Sequence, residues 1–217
     1  MLGLIEKDLR LALTRRQILA FFFIAAMLMG ISVDASFLIS YLTLFATIVA
    51  VGTMNYDESD NGLAFLMTLP FDRKTYVREK YLLSLIFAAA AWCFGGALYS
   101  IGSLIRHGAI SPVNELPMLL ALLPVLYLAT AIMIPLLLAY GSEKSRIVFY
   151  SIFGAIAVLL IAAKRFSVGS DNILARLAKV LDGMSPAVVL VILTAICVLF
   201  ACISYLRSIQ IMAKKEF

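Results

Sequence analysis

The sequence predicts an all-α membrane protein: one transmembrane domain, residues 1–217, built of six spans. Three observations predict it. The chain is 63% hydrophobic and only 14% charged, where a soluble domain carries about 25% charged residues. Its uncharged stretches approach or exceed the roughly 20 residues that cross a bilayer. The charges gather at the ends of those stretches instead of along them. A soluble fold this apolar would leave a large greasy surface exposed. The net charge of +5 suits anionic lipid headgroups, so the lipid bilayer is the expected partner. No basic stripe interleaved with base-stacking aromatics is present, so nucleic acid is not.

Residues 1–16 form the first element. Leu2, Ile5, Leu9 and Leu13 recur at spacings of three and four, with Glu6, Lys7, Arg10 and Arg15 elsewhere on the wheel. This predicts an amphipathic helix on the cytoplasmic face, lying on the inner leaflet. It is either a plain anchor or a surface that also meets a cytoplasmic partner. A basic start before an apolar stretch has the outline of a secretory signal, but Glu6 and Asp8 interrupt it, so the first span is read as uncleaved.

Spans follow at 17–33 and 35–54. Residues 18–54 as one helix would be about 55 Å long, too long for one bilayer, so a tight turn is expected at Asp34. The remaining spans are 81–105, 116–139, 147–163 and 185–206. Gly95 and Gly96 suit close helix packing in the third, and Pro124 and Pro135 suit kinks in the fourth. Tyr140–Arg146, YGSEKSR, is a tight turn. Residues 164–184 predict an external amphipathic helix. Ile173, Leu174, Leu177 and Leu181 lie on one face and Arg176, Lys179 and Asp182 on the other; the segment is an interfacial cover or a gate. With six spans, thirteen of the eighteen Lys and Arg residues fall on the side of the N-terminus. Positive charge marks the cytoplasmic side, so both termini are expected there in a multi-pass protein.

The polar segment 57–80 stands out from its surroundings. After Asn61-Gly62, Leu63, Phe65, Leu66 and Leu69 give a short apolar face. Pro70 disfavours the helical region for Leu69 and ends that helix. Asp72 stands where an N-cap accepts the free amides of a new helix, and Phe71 and Tyr76 occupy the two positions of a hydrophobic staple. The new helix runs through Arg73, Lys74, Arg78 and Lys80 into span three. The prediction is a short helix, a sharp corner and a rigid lever joined to a span. The plain alternative is a solvated loop with snorkelling basic side chains.

Catalytic motifs are missing. There is no G-x-x-x-x-G-K-[ST] phosphate loop, no H-E-x-x-H and no nucleophile elbow. The chain is therefore not expected to be an enzyme by itself, nor to bind a cofactor. Cys93, Cys197 and Cys202 lie in apolar runs without metal-ligand spacing, so no metal site is expected. Ser103 and His107 share a helix face, but nothing orients the pair. No ionisable residue lies deep in a span, which disfavours ion-coupled transport. Any energy source should lie outside this chain.

The residues that carry a resemblance are Tyr56, Asp57 and Glu58, then Leu69, Pro70, Arg73 and Lys74 at the corner, then Lys80, Tyr81 and Leu82. In these the chain resembles the membrane subunit of type-2 ABC exporters, the ABC2-membrane permease family, in its small six-span form. It is most similar to permeases that export phenol-soluble modulins or antimicrobial peptides. The resemblance implies a permease of the bacterial cytoplasmic membrane, driven by a separate cytoplasmic ABC ATPase subunit that binds ATP and Mg. It implies a coupling helix between spans two and three, with Tyr56, Asp57, Glu58, Leu66, Leu69, Pro70, Phe71, Arg73, Lys74 and Lys80 as coupling residues. The arm bearing Glu6, Lys7 and Arg10 would be the connecting helix. A second permease subunit, alike or related, would complete the pathway, and the substrate would be an amphipathic or toxic peptide. A lipid or drug exporter, and a scaffold or sensor that anchors a cytoplasmic partner without transport, remain as alternatives.

Overall fold

The computed structural model describes residues 2–14, 16–32, 35–58, 62–107, 116–166 and 185–215. All secondary structure among them is helical: α1 (Leu2–Thr14), α2 (Arg16–Ser32), α3 (Ala35–Glu58), α4 (Gly62–Leu66), α5 (Arg73–His107), α6 (Leu116–Phe166) and α7 (Pro186–Lys214). Four of these, α3, α5, α6 and α7, are long and apolar enough to cross a membrane. A fifth crossing is added if α1 and α2, whose axes differ by 71°, count as one bent span.

The count differs from the six expected for two physical reasons. With 17 residues, α2 is about 26 Å long, at the short limit of a crossing. In addition, the fourth and fifth expected spans form one helix. Its 51 residues would stretch about 77 Å if straight, over twice the hydrocarbon thickness of about 30 Å. The helix breaks instead at Gly141, with φ 81° and ψ 175°. That left-handed φ suits glycine, which has no Cβ to clash. Pro124 and Pro135 stay inside the helix, so the break falls at neither proline. Asp34, residues 108–115 and most of the external segment 164–184 lie outside the described residues.

Packing is centred on α3 and α5, and on α6 and α7. Gly95 of α5 sits against α3, where a Cβ would stand 3.2 Å from side-chain atoms of Ile39 and Leu42. The main apolar cluster joins Val51 and Met54 of α3, Leu63 and Leu66 of α4, Tyr76, Val77 and Tyr81 of α5, Ile134, Leu137 and Leu138 of α6, and Met212 of α7. Tyr81 adds hydrogen bonds to Ser204 and Ser208 of α7 at 2.6 and 2.9 Å, and its carbonyl accepts the Tyr127 hydroxyl of α6 at 2.9 Å. Large apolar side chains elsewhere face outward, among them Phe21, Ile48, Ile105, Tyr150 and Val191, as lipid contact requires.

Candidate functional site

The end of α3, the start of α5, the break in α6 and the end of α7 converge at one end of the bundle, and α1 joins them. α3 delivers Asp57 and Glu58 in its last turn. Asp57 is 5% exposed. Its carboxylate pairs with Lys7 of α1, meets Lys80 Nζ of α5 at 2.7 Å and accepts the Tyr76 hydroxyl at 3.0 Å. Lys80 is 2% exposed and Asp8 of α1 is 0% exposed. Lys80 pairs with Asp8 and lies 3.6 Å from its neighbour Glu79. Asp8 also accepts the Thr53 hydroxyl at 3.1 Å and sits 2.9 Å from Lys7. One ammonium, Lys80, thus ties α1 and α3 to α5 through two buried carboxylates. Breaking a buried pair leaves an uncompensated charge, so such a knot holds firmly.

Electrostatics follow from burial. These groups precede the apolar run of α5 that begins at Tyr81. Burial works against the Asp8 charge, but Lys80 and Lys7 outweigh it and hold the carboxyl below the usual carboxylate range. Burial opposes the Lys80 charge as well, and Asp57, Glu79 and Asp8 overcome it and push the ammonium up. Glu79 goes the other way. Burial above all, then Asp8, pushes its carboxyl from 4.5 to about 7 against the pull of Lys80 and Lys7.

Glu58 serves the break in α6. Its Oε2 accepts the backbone N–H of Ser142 at 2.5 Å, an amide freed by the interruption. Its Oε1 lies 3.8 Å from Lys215. A Cβ on Gly141 would come within 2.8 Å of that carboxylate. Arg73 closes the end of α7: its guanidinium donates to the carbonyls of Met212, Ala213 and Lys215 at 3.2, 3.0 and 3.0 Å. Lys215 in turn donates to Leu138 O at 3.3 Å.

The corner itself has two sides. Leu63 and Leu66 are buried in the core, and Phe71 packs on the same cluster as Tyr76. The Asp72 carbonyl accepts the Thr75 and Tyr76 amides and so opens α5. The opposite side presents Phe65, at 68% exposure, with Thr68, Leu69, Pro70, Asp72 and Lys74. Of the residues expected here, the structure therefore sets Leu69, Pro70 and Lys74 on the outer tip. Asp57, Glu58, Arg73 and Lys80 are engaged within the chain. Tyr56 borders a cavity of about 380 Å³ walled by Leu11, Phe45, Ile48 and Val49, with Arg146 beside it. In the arm, Glu6 and Arg10 pair with each other at 2.6 Å on an exposed surface, while Lys7 turns inward.

Asp8, Glu79, Tyr76 and Thr53 are missing from the sequence-based set. The face α1 buries carries Leu4 and Asp8, whereas Leu9 and Leu13 are exposed. A hydropathy wheel assigns an aspartate to water. The one available signal was a carboxylate in the arm set against a Glu-Lys pair at the head of α5.

A sequence model of the family described as ABC-2 family transporter protein matches residues 3–213. The chain belongs to the ABC-2 transporter family. This ABC-2 protein is a multi-pass membrane permease, a transport component that is not itself the catalyst. No curated protein and no solved structure matches it.

Proposed function

We propose that this ABC-2 permease is the membrane subunit of an ATP-driven exporter that moves amphipathic or toxic peptides out of a bacterial cell. A separate ABC ATPase, holding ATP and Mg, seats the corner between α4 and α5 in a groove. The observation that carries this reading is the outer tip of Phe65, Leu69, Pro70 and Lys74, set on a helix whose first turns are tied to α1, α3 and α7. An apolar and basic tip is a docking surface; a tied helix transmits what is done to it. Leu66 and Phe71 hold the tip to the core, Arg73 and Lys80 hold the lever, and Asp57 and Glu58 hold the end of α3. Tyr56 completes this coupling set.

In this reading the membrane is crossed six times, by α2, α3, α5, the two halves of α6 and α7, with both termini in the cytoplasm. The convergence of five segments at one end supports that count, and so does the break at Gly141. A second permease subunit completes the pathway. The substrate class rests on the apolar cavity beside Arg146 and on the resemblance at Tyr56–Glu58 and Leu69–Lys74.

The test is capture of an ATPase by detergent-solubilised protein, with residues 63–74 intact or scrambled, followed by assay of ATP hydrolysis. An ATPase that binds the intact chain and is lost with the scrambled one is the expected result. No ATPase on the intact chain would overturn the reading.

A further inference from the structure

The buried cluster holds three carboxylates and two ammonium groups: Asp8 and Lys7 from α1, Asp57 from α3, and Glu79 and Lys80 from α5. Fully ionised, it would keep one unbalanced negative charge away from water. Buried groups avoid that state by binding a proton. The contacts show where the proton belongs. Both Asp57 oxygens are taken, one by Lys7 and one by Lys80 and Tyr76. Asp8 Oδ2 is taken by Lys80 and Thr53. Asp8 Oδ1 faces Lys7 Nζ at 2.9 Å, whereas both oxygens of Glu79 lack a hydrogen-bond partner and Glu79 is 0% exposed. An ionised carboxylate needs donors, and Glu79, buried without one, is therefore the group that binds the proton. A metal ion does not fit instead. Two lysines already occupy the space between the carboxylates, and among the described residues no three such side chains are arranged to hold a metal ion.

We propose that Glu79 carries one bound proton, and that this proton lets the arm α1 close on the lever α5. With it, Glu79 is uncharged and the cluster is neutral overall. Without it, two adjacent carboxylates repel across the α1–α5 contact. The groups facing Glu79 are Asp8 and Lys7 from α1 and Lys80 and Tyr76 from α5, while Asp57 of α3 acts through Lys80. Glu79 is held at about 7 in the folded chain, against an ordinary 4.5. Between those values the folded state binds more protons than the unfolded one, so stability falls as pH rises. By about 7 this contribution is gone. The arm is thereby sensitive to pH near neutrality, from the face that carries the coupling corner.

The test uses the full chain in lipid nanodiscs, with no ATPase and no transported substrate. A failed ATPase capture therefore leaves its outcome standing, and the reverse holds too. Melting temperature is followed from about pH 5 to about pH 9. The wild type should lose stability between about pH 5 and about pH 7, with a midpoint at about pH 6, and hold level above that. Glu79→Gln, which carries its hydrogens permanently, should remove that loss and give a flat profile. Asp8→Asn, which removes the second carboxylate, should move the midpoint to lower pH. A Glu79→Gln profile that falls like the wild type would overturn the proposal. Should that variant fail to fold, the wild-type infrared spectrum decides. A protonated-carboxyl band present on the acid side and lost above neutrality is expected, and its absence on the acid side overturns the proposal equally.

Discussion

Lys80 carries more of the structure than its place beside a membrane run suggests. It meets Asp8 and Asp57 at once, and Lys80→Met would leave both carboxylates buried with Lys7 as their remaining cation. Removing one partner of a buried pair costs about 3–5 kcal/mol. The purified variant should therefore melt well below the wild type, and Asp8→Asn combined with Lys80→Met should recover part of the loss. A sum of the two single losses would mean that the residues do not interact. Gly141 is the second sensitive position. An alanine there meets both the left-handed backbone, about 1–2 kcal/mol, and the Glu58 carboxylate at 2.8 Å. Gly141→Ala should lower the melting temperature. Gly96→Ala, with open space around it, should hold it or raise it by up to the helix preference of alanine, about 1 kcal/mol.

Among the elements, the corner and the lever were the most legible in sequence. α5 opens directly after Asp72 and Phe71 with Tyr76 joins one cluster, because each is a local rule of backbone and spacing, whereas α4 stops at Leu66, before Pro70 would end it. The tertiary partners were not legible. Nothing near Glu58 announces Ser142, and nothing near Arg73 announces the carbonyls of α7, since these pairs are fixed by packing across the bundle. The burial of Asp8 was not legible for the same reason: the lysines that make it tolerable in the interior are remote or adjacent in ways that periodicity ignores. The two-sided corner makes a direct prediction. Phe65→Asp and Leu69→Asp act on exposed positions and should change stability within about 0.5 kcal/mol, yet abolish ATPase capture. Leu63→Ala and Leu66→Ala, on the buried side, should lower the melting temperature by the equivalent of about 2–5 kcal/mol. Equal effects on melting from both sides would contradict this division.

At the scale of the whole molecule, composition settled the class and the charge distribution set an orientation. The number of crossings depends on the break in α6 and on the shortness of α2, neither of which composition reveals. The side of each loop is open to measurement. In a background lacking Cys93, Cys197 and Cys202, cysteines at Lys74 and Glu143 should react with an impermeant thiol reagent only from the cytoplasmic side, and one at Ser111 only from outside. Labelling of positions 74 and 143 from opposite sides would exclude the arrangement of α6 as two crossings.

Glu58 has one more consequence, in time instead of space. The ribosome delivers this carboxylate long before either of its partners, for Ser142 is 84 residues further on and Lys215 lies near the end of the last helix. Until then the end of α3 carries an anion with no counterpart at the membrane edge. A half-made chain cannot close this end of the bundle, and one stalled after α6 would hold the Ser142 amide but still lack Lys215, the only cation this carboxylate meets among the described residues.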